Sequence, residues 1–287
     1  MDIRNMDIRI VTDSTCDLPD ETIQDLDIAV LPLNIHMGDE TRLDGVDISR
    51  DEFYERLPDM NPFPKTAAPS PEIFRQLYER LADEGAKAIL SIHISESLSA
   101  TINVARTAAQ EFTRIPVTVL DSSQLSLGTG FLVEKAAQLA KAGETLEEIL
   151  SQLKDQMTRS YVFASLKTLE YLRRSGRMHS AVAHIGEFLK IKPLLHMNMG
   201  KPTIQRTRTQ KNATAQLLAW LDQYAPFEKL AVLHAGIQEE AEALQEAVRA
   251  YFPEEDEPVP IQITPVLGAH LGIGALGFAA ISKKRIR

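Results

Sequence analysis

The 287-residue chain reads as an α/β protein of two lobes, the first on a mostly parallel α/β/α plan and the second on a mixed or antiparallel sheet, with a ligand crevice between them. Three observations predict this. Short apolar strands ending in hydroxyl-rich loops alternate with helix-period segments through the first half, which implies a parallel sheet with helical crossovers. Thr145 and Glu148 are spaced as a capping box, so a fresh helix starts just before the pattern changes. Asn198-Met199-Gly200 lies between two β-type runs as a hairpin turn, and strands joined by a hairpin cannot be parallel neighbours. The boundary is placed near residue 157, giving domains of residues 1–156 and 157–287.

The elements follow in order. Ile8 to Val11 is a short apolar strand, and Thr12-Asp13-Ser14-Thr15 follows its carboxyl end, where open α/β sheets bind ligands. A helix is predicted over 71–84. The strand Ala88 to Ile92 runs into a loop carrying Ser95, Ser97, Ser99 and Thr101, and a helix over 101–112 follows. The strand Val117 to Leu120 leads to Asp121-Ser122-Ser123 and a helix over 126–141. Beyond the capping box come a strand over Tyr161 to Ala164, the hairpin of Lys192 to Leu195 with Thr203 to Arg206, and a helix over 211–224. Last are a strand over Leu230 to Leu233, a helix over 238–251, a strand over Ile261 to Val266, and a flexible glycine-rich loop from Gly268 to Gly277.

Composition removes several classes. Hydrophobic residues at 44% and charged residues at 25% are ordinary for a globular protein, which disfavours disorder. Cys16 is the sole cysteine, so a disulfide framework is excluded and the reducing cytoplasm is expected. No apolar run approaches the ~20 residues of a membrane span, and Met1 to Asn5 do not read as a secretory leader. The near repeat of Met1-Asp2-Ile3-Arg4 by Met6-Asp7-Ile8-Arg9 leaves Met1 or Met6 as the natural start. A net charge of -9 argues against nucleic acid as a partner. His-Glu-x-x-His and the phosphate-binding Gly-x-x-x-x-Gly-Lys motif are missing, so no metal or nucleotide cofactor is expected.

The chemistry-bearing residues cluster in loops. Ser14, Thr66, Ser97, Ser99, Thr101 and Ser122 are each plausible helix caps. As a set at strand carboxyl ends they also suit an anion, because helix amino termini bring unpaired N–H donors there, and a carboxylate fits without a nearby lysine. His270, flanked by Gly268 and Gly272, is the histidine best placed to approach a ligand. His93 and His234 lie in apolar strand sequences and read as satisfied core or rim residues. Serine, histidine and acid are all available for nucleophilic catalysis, yet no Gly-x-Ser-x-Gly elbow occurs. Two basic groupings, Arg173, Arg174 and Arg177, then Arg206, Arg208 and Lys211, are either solvated faces or a positive rim for a phosphate or an acidic partner.

Val11-Thr12-Asp13-Ser14-Thr15-Cys16-Asp17-Leu18-Pro19 resembles the amino-terminal signature of the DegV family of fatty-acid-binding proteins. Thr66-Ala67-Ala68-Pro69-Ser70, Ser97-Leu98-Ser99-Ala100-Thr101 and the Asp121 to Gly130 segment resemble further family motifs. Leu169 to Arg177, Leu189 to Pro193, Arg206-Thr207-Arg208 and Gly268-Ala269-His270 keep the family's order, so the resemblance spans nearly the whole chain. It implies that a long-chain fatty acid such as palmitate or stearate lies in a tunnel, its carboxylate held by Thr66 and Ser99 and approached by His270. Ser14, Ser97, Thr101 and Ser122 are the supporting loop residues. In some members the bound acid is phosphorylated by a separate fatty acid kinase, and the resemblance then implies that Arg173, Arg174, Arg177, Arg206 and Arg208 face that partner. Ala67, Ala100, Leu271 and Ile273 depart from the family's usual residues, and Ala67 removes a hydroxyl near the head group.

Burying an acyl chain contributes ~0.8 kcal/mol per CH₂, so about fourteen methylenes supply roughly 11 kcal/mol before immobilisation costs. Hydroxyl hydrogen bonds at ~1 kcal/mol each then chiefly orient the head group, without requiring a salt bridge. The expectation is a non-enzymatic lipid-binding carrier in fatty acid metabolism. The alternative is a lipid esterase or thioesterase using Ser99 with His270.

Overall fold

A computed structural model describes residues 7–178, 191–253 and 258–285; the Met1 or Met6 start, and Leu189 and Lys190 of the family-like segments, lie outside them. Along the first lobe run β1 (Ile8–Asp13), α1 (Asp20–Asp25), β2 (Ala29–Leu31), β3 (Asn34–Met37), β4 (Glu40–Leu43), α2 (Arg50–Arg56), β5 (Lys65–Ala67) and α3 (Pro71–Asp83). They continue through β6 (Ala88–His93), α4 (Thr101–Glu111), β7 (Val117–Asp121), α5 (Leu127–Lys141) and α6 (Leu146–Thr158). The four-stranded sheet, in the order β2-β1-β6-β7, is parallel throughout. Every residue of β6 is buried, as suits a strand covered on both faces.

The small antiparallel sheet β4-β3-β5 was not anticipated. Its strands are three or four residues long, too short for a period-two pattern to register.

The second lobe comprises β8 (Ser160–Ser165), α7 (Glu170–Arg174), β9 (Lys192–Asn198), β10 (Lys201–Thr207), α8 (Gln210–Tyr224) and β11 (Phe227–His234). α9 (Gln238–Ala247), β12 (Ile261–Gln262), α10 (Pro265–Leu271) and β13 (Leu276–Ser282) complete it. Its six-stranded sheet, ordered β10-β9-β8-β13-β11-β12, is antiparallel except where β11 meets β12. The expected hairpin is β9–β10.

Two expectations are corrected. The strand predicted over 261–266 ends at Gln262, and Pro265 opens a helix at its first position, where its missing N–H costs nothing. His270 therefore stands on α10 rather than in a flexible loop. The final strand, β13, lies inside the sheet and was not anticipated; only its first two residues, Leu276 and Gly277, fall in the stretch expected to be loop.

The layers explain where a cavity can form. α3 and α4 cover the outer face of the parallel sheet through Phe74, Tyr78, Leu81 and Ala105. α8 covers the outer face of the second sheet through Trp220 and Leu217 packed with Phe163 and Phe278. α5 lies between the two sheets, touching β1 and β6 on one side and β8 and β13 on the other. Gly128 permits this approach, since a Cβ there would sit 2.7 Å from the Val162 Cγ2 of β8. One apolar cluster thus runs through both lobes, from Ile10 and Leu90 to Val162, Leu195 and Leu267. The capping box of Thr145 and Glu148 is formed, and the boundary proposed at residue 157 falls in the last turn of α6.

Candidate ligand-binding site

The loops at the carboxyl end of the parallel sheet, the end of β5, and α10 and β9 of the second lobe enclose a cavity of about 240 Å³. For scale, an apolar protein cavity of about 150 Å³ suffices to hold benzene. Most of the wall is apolar, with Leu33, Ile94, Leu98, Leu125, Leu195 and Leu267 prominent; Thr15, Thr66, Ser99, Arg177 and His270 supply its polar groups. A smaller, separate void shares the lining residues Leu125, Leu195 and Leu271 and is otherwise bounded by residues that include Val162, Ala164 and Leu233 of the second sheet.

Three predicted head-group residues come together here from distant parts of the chain. Thr66 sits on β5 opposite Ile35 of β3, and its Oγ1 is 2.8 Å from His270 Nε2. Ser99, just before α4, shares a 2.9 Å hydrogen bond with the Thr101 hydroxyl and accepts from the Thr101 N–H. The Nδ1 of His270 is buried without a partner. Burial, with a smaller contribution from the Arg177 guanidinium, pushes the ring's pKa down to about 4, so the imidazole is neutral near pH 7. A neutral ring carries one N–H and one acceptor nitrogen, and Nε2 is the nitrogen engaged by Thr66.

Arg177 is a correction to the sequence reading. Grouped there with the outer rim, it is half-buried and lines the cavity beside His270, held by a 2.7 Å bond from its Nη1 to the Ser175 carbonyl. Arg173 and Arg174 are exposed on α7, and both pair with Glu170 at 2.6 Å. Hydrogen bonds from these two arginines draw the Glu170 carboxyl down to about 2. Arg174 also stacks over Phe63 at 5.6 Å. Arg206 is exposed one residue before the end of the edge strand β10, and Arg208 follows the strand on the surface.

None of the predicted supporting residues Ser14, Ser97, Thr101 and Ser122 is among those lining the cavity. Ser14 donates to Asp44 at 2.6 Å, Ser97 bonds Ser95 at 3.0 Å, and Ser122 bonds Thr129 at 2.9 Å. Thr15 does line the cavity, while its hydroxyl donates to Asp13. An acid–histidine–serine relay exists elsewhere: His93 Nδ1 is 2.9 Å from Asp13, and its Nε2 is 2.7 Å from Ser91, which continues to Tyr78 at 3.0 Å. Burial opposes ionisation of Asp13, but the hydrogen bond and charge of His93 hold its pKa below the ordinary value. All three members are 0% exposed, so the relay is a core network that substrate cannot reach. Ser99 and His270, the pair required by an esterase, make their hydrogen bonds to Thr101 and Thr66. Among the described residues no cluster of three His, Cys, Asp or Glu is placed to hold a metal, and no helix is long and apolar enough to cross a membrane.

A two-lobed α/β protein with an enclosed apolar chamber and one polar end belongs to the class of small-molecule binders. Residues 7–283 match a family described as uncharacterised proteins of the DegV family, and the chain belongs to that family. The structure of DegV from Bacillus subtilis, described as a fatty acid binding protein, is similar with 32% identity and a TM-score of 0.88, covering 97% of this chain and 100% of that one. A DegV family protein from Thermus thermophilus, described in terms of fatty acid binding, is 36% identical with a TM-score of 0.85, covering 96% and 99%. A stearic acid-binding protein from Eubacterium ventriosum is 27% identical with a TM-score of 0.84, covering 96% and 98%.

Proposed function

We propose that this protein binds one long-chain fatty acid, with Thr66, Ser99, Arg177 and His270 around the carboxylate and the acyl chain directed between the two sheets. The observation that carries this reading is the polarity of the main cavity and the apolar void that adjoins it. The cavity's hydroxyls, imidazole and guanidinium lie on or beside β5, α4, α7 and α10, whereas the smaller void on the other side of Leu125, Leu195 and Leu271 is lined almost wholly by apolar surface. Apolar burial supplies most of the affinity at ~0.8 kcal/mol per CH₂, and the polar end sets orientation. The fatty acids described for the relatives from Thermus thermophilus and Eubacterium ventriosum support the same ligand class.

The protein acts as a cytoplasmic carrier without covalent chemistry of its own and presents the head group to a partner fatty acid kinase. Arg173, Arg174, Arg206 and Arg208 form the charged surface suited to that partner and to the phosphate being transferred. The test is mass spectrometry of lipid extracted from purified protein, followed by titration of delipidated protein with C14 to C18 acids. About one equivalent of acid and a raised melting temperature are expected; absence of both binding and stabilisation defeats the reading.

A further inference from the structure

The turn that leads into α10 belongs to the second lobe by sequence, yet first-lobe side chains hold three consecutive residues of it. Arg50 donates to the Gln262 carbonyl. Tyr54 donates its hydroxyl to the Ile263 carbonyl at 3.2 Å, and the Thr264 N–H donates to Asp17 Oδ1 at 2.8 Å. Asp17 is itself fixed by the Ser126 hydroxyl at 2.6 Å and by Arg50 at 3.6 Å, with its side chain 0% exposed. The Tyr54 ring lies against Gly268, where an added Cβ would come within 2.8 Å of the ring Cζ. This contact puts α10 directly on α2, and His270 stands two residues further along the same helix.

We propose that Asp17, Arg50 and Tyr54 are positioning residues for the ligand site, acting through α10 to set the His270 ring against Thr66. None of the three lines the cavity. Backbone groups buried at a lobe junction must find partners, and here those partners come from the opposite lobe. The place of His270 is therefore decided by first-lobe side chains more than 200 residues away in sequence.

This inference rests on the fatty-acid reading, and its test separates the two. Palmitate and hexadecanol are titrated into delipidated wild type, Asp17→Ala, Asp17→Asn and Tyr54→Phe, and the His270 ring is titrated by NMR in each. Asp17→Ala should weaken palmitate about fivefold, the effect of loosening one hydrogen bond to the head group, while changing hexadecanol far less. Tyr54→Phe, which removes only a hydroxyl, should act in the same direction. Asp17→Asn keeps an oxygen for the Thr264 N–H and should recover much of the loss. Parallel weakening of acid and alcohol, or no difference between Asp17→Ala and Asp17→Asn, overturns the positioning role. If wild type binds neither ligand, the fatty-acid reading fails by itself. The NMR titration still judges the clamp then, since a loosened α10 admits water and raises the His270 pKa, and an unchanged ring pKa in Tyr54→Phe and Asp17→Ala overturns it.

Discussion

Replacing His270 with Gln isolates what it costs to keep an imidazole uncharged in the cavity wall. Burial first, and the Arg177 charge second, take the ring from 6.5 in the unfolded chain to about 4 in the folded one. As pH falls through 6.5 the unfolded chain takes up a proton that the folded chain refuses until near 4, so stability is lost as pH falls. At about 1.4 kcal/mol per pKa unit, the loss for ligand-free protein between pH 7 and pH 4.5 comes to about 2 kcal/mol. Gln takes up no proton in this range. Urea denaturation of wild type and His270→Gln at the two pH values should therefore show the variant gaining about 2 kcal/mol on wild type on acidification. Asp17 and Asp44 titrate in the same interval, but both proteins contain them and their effect cancels in the difference. Saturating fatty acid should shrink the gap, because a carboxylate beside the ring favours its charged form. Parallel pH profiles for the two proteins would mean that the ring is solvated, and the reasoning from an enclosed cavity would fail.

Thr66→Ala and Ser99→Ala should each weaken fatty-acid binding by about 1 kcal/mol while leaving fatty-alcohol binding nearly unchanged, as read by calorimetric titration. Gly128→Ala should destabilise the fold by about 1–3 kcal/mol by overpacking α5 against β8, and Val162→Ala in the same chain should recover part of it in urea denaturation. Burial pushes the Asp44 carboxyl up to about 7, so its contribution to stability is greatest below 3.8 and is lost as pH rises towards 7. Asp44→Asn should remove that slope, and a urea midpoint that falls equally in both proteins from pH 5 to pH 8 would contradict it. Arg174→Glu and Arg208→Glu should leave acid binding intact while slowing acyl-phosphate formation by a partner kinase, with added salt acting in the same direction. Unchanged phosphorylation across both reversals would reduce them to solvated surface residues.

The parts of this protein legible in its sequence are those decided locally. The alternation of β1, β6 and β7 with α3, α4 and α5, the capping box at Thr145 and the hairpin β9–β10 all follow from periodicity, caps and turn chemistry within a few residues. Thr66, Ser99 and His270 could be named because each sits in a loop or segment whose residues carry a family pattern, and the structure brings all three to one cavity.

What only the tertiary structure decided are properties of one segment lying against another. The sequence read 261–266 as a strand, yet Asp17, Arg50 and Tyr54 satisfy the backbone at Gln262 to Thr264 and a helix follows from Pro265. Arg177 looked like one of a row of surface charges, and its place in the cavity wall depends on how α7 and the residues after it meet α10. β13 was not anticipated, since its run of small and apolar residues shows no period-two alternation, and it lies buried between β8 and β11. The neutral His270 is the sharpest case. A ring's charge depends on how much water and which charges surround it, and here the surroundings are assembled from both lobes.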